Sequence, residues 1–228
     1  LVPAALVASA PAAATAKRPP SPVTTAASAP DDLFLAARDA FRASDRDKLA
    51  ALAPRLASHP LAVWVEYWQL QLRLRTDEPV RVDAGVAEFF ARHPDAYLAD
   101  RLRMDWLLAL GARRDFDRFA AEHLALVWQH DDHQVRCYAA LVRYQRDVAR
   151  PTAERERDAR QVLATTRDPG GEGCMALTEA LLAEGRIAPW DRVRALVEGN
   201  QLSQAKRLGS LLPRTLPAPA KRLFLRAN

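Results

Sequence analysis

Residues Leu61-Ala62-Val63-Trp64-Val65-Glu66-Tyr67-Trp68-Gln69-Leu70-Gln71-Leu72-Arg73 decide the fold class. Leu61, Trp64, Val65, Trp68 and Leu72 recur at the spacing of one helical face, so two indoles and three aliphatic side chains align, while Glu66, Gln69 and Arg73 turn outward. A strand would send neighbouring side chains to opposite faces and scatter this set. The same helical period continues along the chain. Helices are predicted over 32–43, 45–57, 61–76, 80–92, 95–110, 113–127, 131–148, 152–165, 174–184, 189–198, 201–211 and 218–225.

Local chemistry supports these limits. Phe116, Phe119, Ala120, Leu124 and Val127 repeat the apolar face in the sixth helix, and His123 falls beside Leu124 on it. Gly111 is expected to end the fifth helix, Asp131 to cap the seventh, Pro189 to occupy the first turn of the tenth, and Gly199 to terminate it. Segments this long joined by short connections pack as antiparallel hairpins. The expected fold is all-α, with hairpins stacked as a curved, solenoid-like α-superhelix, although the tetratricopeptide consensus W-x2-L-G-x2-Y is missing.

The first 30 residues differ in composition. Leu1 to Ala16 is small and apolar, ending in Ala14-Thr15-Ala16, and Lys17 to Pro30 is rich in Pro, Ser, Thr and Ala. This reads as the remnant of a secretory signal plus a linker, with the start of the signal upstream, or as an Ala/Pro linker alone. Folding is expected from residue 31 to 228, in an exported, periplasmic protein, the helical domain being incomplete at its C-terminal end. No apolar stretch is long enough for a membrane span. The 33 Lys and Arg against 28 Asp and Glu, for a formal charge of +5, are intermixed along the helices. Without a basic stripe carrying interleaved aromatics, nucleic acid is set aside as a partner.

The two cysteines are Cys137, inside a helix, and Cys174, which opens another after Asp168-Pro169-Gly170-Gly171-Glu172-Gly173. In an exported chain they are expected to form a disulfide that disfavours the unfolded chain by roughly 4 kcal/mol; the alternative is two reduced, buried thiols. His130-Asp131-Asp132-His133 holds possible metal ligands, but its spacing marks no third convergent ligand, so no metal site is assigned. His59, His93 and His123 read as structural. So do Trp64, Trp68, Trp106, Trp128 and Trp190, since most of these rings fall in helical stripes. The motifs G-x-S-x-G, G-x-x-x-x-G-K-[ST] and G-x-G-x-x-G are missing. No catalytic residue and no cofactor is assigned.

Several strings nevertheless share an order. They are His59-Pro60-Leu61-Ala62-Val63-Trp64-Val65-Glu66-Tyr67, Phe89-Phe90, Arg101-Leu102-Arg103-Met104-Asp105-Trp106-Leu107, Arg113-Arg114-Asp115-Phe116 and Cys137-Tyr138-Ala139. Cys174 before Leu177, and Gly185-Arg186-Ile187 leading to Trp190 and Arg192, continue it. From Leu33 onward the chain resembles the N-terminal helical, U-shaped domain of the large soluble lytic murein transglycosylases. The resemblance implies a noncatalytic scaffold that helps hold peptidoglycan glycan strands. A separate lysozyme-like domain would cleave the β-1,4 bond between N-acetylmuramic acid and N-acetylglucosamine and leave a 1,6-anhydro end, using one glutamate and no metal. That glutamate precedes serine in the family, and no Glu-Ser pair occurs here. Glu66, on a polar helix face, is not a substitute. The competing expectation is a standalone periplasmic repeat adaptor that binds a protein or peptide in a concave face.

Overall fold

The structure, a computed structural model, describes residues 28–76, 79–94, 96–127 and 132–210. They form eleven α-helices and no strand: α1 Ser28–Arg42, α2 Arg46–Leu52, α3 Ala62–Leu74, α4 Pro79–Arg92, α5 Tyr97–Ala112, α6 Phe116–Leu124, α7 His133–Arg146, α8 Thr152–Thr165, α9 Glu172–Ala183, α10 Pro189–Glu198 and α11 Leu202–Ser210. The fold is all-α. The helix expected over 218–225 and the cap expected at Asp131 lie outside the described residues, and α7 is capped by Asp132, whose carboxylate accepts from Gln134 N and Val135 N.

Turns differ from the sequence expectation where backbone chemistry intervenes. The second predicted helix breaks into α2 and a 3-10 turn, Ala53–Leu56, because Pro54 has no N–H and its ring crowds the preceding turn. Gly111 does not end α5, which runs on to Ala112; the left-handed residue is Arg114, at φ 61°. Ser44, Gly185 and Asn200 play the same part at φ 57°, 66° and 57°. After each, the next amide reaches five residues back: Asp45 N to Ala40 O, Asp115 N to Leu110 O, Arg186 N to Leu181 O and Gln201 N to Leu196 O. This is the Schellman closure, which satisfies the carbonyls a helix end leaves unpaired. In two of the four, the following aspartate caps the next helix: Asp45 accepts from Lys48 N and Asp115 from Arg118 N. Gly199 is the C-cap of α10, but the reversal itself falls on Asn200.

From α3 to α9 the packing alternates. Helices α3, α5, α7 and α9 form a row in which each touches the next and α5 also meets α9, while α4 lies across α3 and α5, α6 across α5 and α7, and α8 across α7 and α9. The burial pattern explains this division. Helix α5 buries Leu98, Leu102, Met104, Trp106, Leu107 and Leu110 on nearly every side, whereas α8 buries only Ala159 and Leu163. A helix apolar on most of its circumference belongs inside, and one with a single stripe covers it. Helices α1 and α2 close one end of the row on α3, where Phe34 and Phe41 pack against Trp68 at ring distances of 5.3 and 5.4 Å. At the other end, α10 and α11 pack together and meet Met175 of α9 through Val193, Leu196, Ala205 and Leu208.

Two amphipathic readings need correction. In α3 Tyr67 and Leu70 are buried as well as Val65, Trp68 and Leu72, so little of the helix is outward, and Leu61, just before it, is 41% exposed. In α6 Phe119 is buried, but Leu124 and Val127 are 87% and 77% exposed. The helix stops at Leu124, so these two never complete the face that the period implied.

Candidate functional site

Cys137 in α7 and Cys174, one turn into α9, are joined as a disulfide with Cα atoms 4.9 Å apart. Polar contacts surround the bond. The Gln134 amide donates through Nε2 to the Asp168 backbone oxygen and carboxylate at 3.1 and 2.9 Å, and its Oε1 accepts from Cys174 N at 3.1 Å. A Cβ on Gly171 would fall 2.1 Å from that amide, so a larger residue there would displace the Gln134 side chain from its hydrogen bonds. Nearby, Tyr138 is wedged between α5 and α9. Added Cβ atoms would approach its ring to 2.4 Å at Gly111 and 3.0 Å at Gly173. Gly111 therefore serves close helix approach. Burial first, and the neighbouring Glu172 next, push the Tyr138 hydroxyl well above its ordinary pKa.

A polar stripe crosses α3 and α5. Tyr97, Arg101 and Asp105 follow each other at intervals of four on α5, and Tyr67 and Gln71 do so on α3, so each set shares a face. Tyr67 OH donates to Asp105 Oδ2 at 2.8 Å, and Gln71 Nε2 donates to the same oxygen at 3.0 Å. Arg101 Nε donates to Tyr67 OH at 3.0 Å and its Nη1 to Tyr97 OH at 3.4 Å. Burial is the main cause that raises the Asp105 pKa, against the pull of the Tyr67 and Gln71 hydrogen bonds and the Arg101 charge. Tyr67 is likewise raised by burial and then by Asp105, so it remains a proton donor at neutral pH. The other end of the Gln71 amide, Oε1, is buried without a partner. Tyr97 is 47% exposed. Of these groups the Tyr97 ring and the Arg101 guanidinium are exposed, and an aromatic face beside a hydrogen-bond donor suits a ligand rich in hydroxyl groups.

The remaining sequence candidates are structural in their contacts. Glu66 is ion-paired with Arg92 and lies 3.5 Å from His93 Nε2, so it joins α3 to the end of α4. His59 Nε2 lies 3.1 Å from Asp31 Oδ1 and its ring stacks on Phe34 at 5.1 Å. His123 stacks on Phe119 at 5.7 Å, and burial followed by the Arg143 charge lowers its pKa. Trp68 and Trp106 are buried and Trp64 and Trp190 half-buried, while Trp128, His130 and Asp131 lie outside the described residues. Among the described residues no three His, Cys, Asp or Glu side chains are placed to hold a metal ion, and no helix is long and apolar enough to cross a membrane.

Sequence reading missed the Asp83 junction. Trp106 Nε1 donates to Asp83 Oδ1 at 2.6 Å, Arg113 donates to Oδ2 at 2.6 Å, and Arg118 binds the same oxygen. The indole and two guanidinium groups compensate a carboxylate that is 8% exposed. The repeat of Asp45-x-Asp47-Lys48-Leu49-Ala50 as Asp115-x-Asp117-Arg118-Phe119-Ala120 marks equivalent hairpin turns but carries no signal for Asp83.

No family model matches the chain, and no curated protein or solved structure matches it.

Proposed function

We propose that the chain is a noncatalytic helical scaffold of a periplasmic peptidoglycan lytic transglycosylase, holding glycan strands along the α3–α5–α7–α9 row. The row would curve as a superhelix, and cleavage of the β-1,4 bond is assigned to a catalytic domain elsewhere in the parent polypeptide. The observation that carries this reading is the polar stripe of Tyr67, Gln71, Tyr97, Arg101 and Asp105, in which one aromatic edge stands beside hydrogen-bonding groups on a rigid pair of helices. Sugar rings present apolar faces for stacking and hydroxyls for such groups. The resemblance of residues 33–228 to the U-shaped domain gives the ligand its identity. The stripe holds the single carboxylate of Asp105, hydrogen-bonded to Tyr67 and Gln71, and the scaffold role asks no acid chemistry of it.

Co-sedimentation with purified peptidoglycan tests the proposal. The chain should be retained weakly and without releasing anhydro-muropeptides, and Tyr97→Ala with Arg101→Ala should weaken that retention about tenfold while helical circular dichroism is kept. Retention that is indifferent to the double substitution would remove the stripe from the account. A preference for an unrelated peptide would favour the adaptor reading.

A further inference from the structure

We propose that the cleft between α8 and the start of α10 is a binding site for a carboxylate carried on a short aliphatic body. Arg160 and Leu163 of α8, Arg186 and Ile187 of the α9–α10 connection, and Arg192 and Ala195 of α10 line a cleft of ≈ 470 Å³. That volume lies within the range of small-molecule sites. This inference stands on the cleft alone and does not depend on the glycan reading.

Arg192 is the reason for the assignment. It is 6% exposed, yet among the described residues its side chain has one hydrogen-bonded partner, the Pro169 backbone oxygen, which accepts from Nη2 at 2.7 Å. Nε is buried without any partner, and among the described residues no carboxylate is ion-paired with it. A buried cation lacking an anion is strongly unfavourable, so proteins pair such groups or present them to a ligand. Burial lowers the Arg192 pKa to about 10, and the group therefore still carries its charge at neutral pH.

The neighbouring cations sharpen the pattern. Arg186 lines the same cleft, and its Nε is also buried without a hydrogen-bond acceptor; the Glu184 carboxylate is 3.6 Å away. Arg160 and Arg186 share Glu156 as a counter-charge. Asp191 is the acidic residue on the cleft wall, but its side chain is 71% exposed and lies 3.7 Å from Arg194. Of the three guanidinium groups on the cleft wall, Arg160 and Arg186 thus have Glu156 and Glu184 as counter-charges, whereas Arg192 has no carboxylate paired with it among the described residues. A planar carboxylate can take two parallel N–H donors from one guanidinium. Leu163, Ile187 and Ala195 offer nothing to bond further oxygens, and they fit an alkyl group better than the remaining faces of a phosphate.

The test follows the arginine Nε–H resonances of the full chain by NMR during titration with N-acetylalanine, with its neutral amide N-acetylalaninamide, and with inorganic phosphate. Saturable shifts at Arg192 and Arg186 are expected with the acid, none with the amide, and weaker ones with phosphate. Arg192→Gln should lower affinity about tenfold or more, through loss of a charge-assisted hydrogen bond. Arg160→Gln, which removes an exposed charge and leaves the buried wall intact, should lower it about threefold and keeps the test decisive if the first variant fails to fold. Equal response to acid and amide, tighter binding of phosphate, no response to any of the three, or an affinity unaltered by both substitutions would overturn the assignment.

Discussion

The two ends of the helical row are held in different ways. From α1 to α7 a single buried cluster contains Trp68, Phe89, Trp106, Phe119 and Tyr138, with Phe34, Phe41, Trp64 and Phe90 packed on its edge. Beyond α7 the cores shrink: one cluster joins α7, α8 and α9 with Tyr144 as its single buried aromatic ring, and the last has only five buried members, Met175, Val193, Leu196, Ala205 and Leu208. Aromatic side chains bury large areas and dominate core energetics. Where they become scarce, the chain adds a covalent tie between Cys137 and Cys174 and a hydrogen-bonded loop around Gln134 and Asp168. Small apolar clusters need such additional ties.

The largest effect should come from cutting the tie. Cys137→Ser is expected to cost up to about 4 kcal/mol, measured as a fall in the thermal midpoint under oxidising conditions and absent when both proteins are reduced. Hydrogen exchange should show α8 to α11 losing protection while α3 and α5 keep theirs; uniform loss across the chain would mean that the two ends are not distinct. The joint between them should be nearly as sensitive. Gly111→Ala places a methyl 2.4 Å from the Tyr138 ring, which must move, at a cost of about 1–3 kcal/mol in chemical denaturation. A neutral outcome would show that α5 and α7 can separate freely.

The all-helical class was legible because the apolar period in 61–73 depends only on local geometry. Helix limits at Pro54 and Arg114 were less so. Pro54 admits a 3-10 turn as readily as a continued α-turn near a helix end, and an arginine gives no sign that it will adopt positive φ. Gly111 misled for a physical reason: glycine serves equally in a left-handed turn and under an aromatic ring, and only the position of Tyr138 distinguishes them. The polar stripe was out of reach, since Tyr67 meets Asp105 across 38 residues and no spacing rule links two separate helices. The burial of Arg192 was equally out of reach, since it depends on packing that brings its guanidinium to the Pro169 oxygen 23 residues away. The smallest of the expected effects concerns the turn. Arg114→Gly should stabilise the chain by about 1 kcal/mol by relieving left-handed strain, and no gain in denaturation midpoint would mean that the Arg114 side chain contributes as much as the strain costs.

The most direct test of the scaffold account is hydrogen exchange with and without soluble glycan strands. Binding along the stripe predicts added protection in the segments of α3 and α5 that carry Tyr67, Gln71, Tyr97, Arg101 and Asp105, with α4, α6 and α8 unchanged. Protection confined to the covering helices, or none at glycan concentrations that saturate retention, would contradict it.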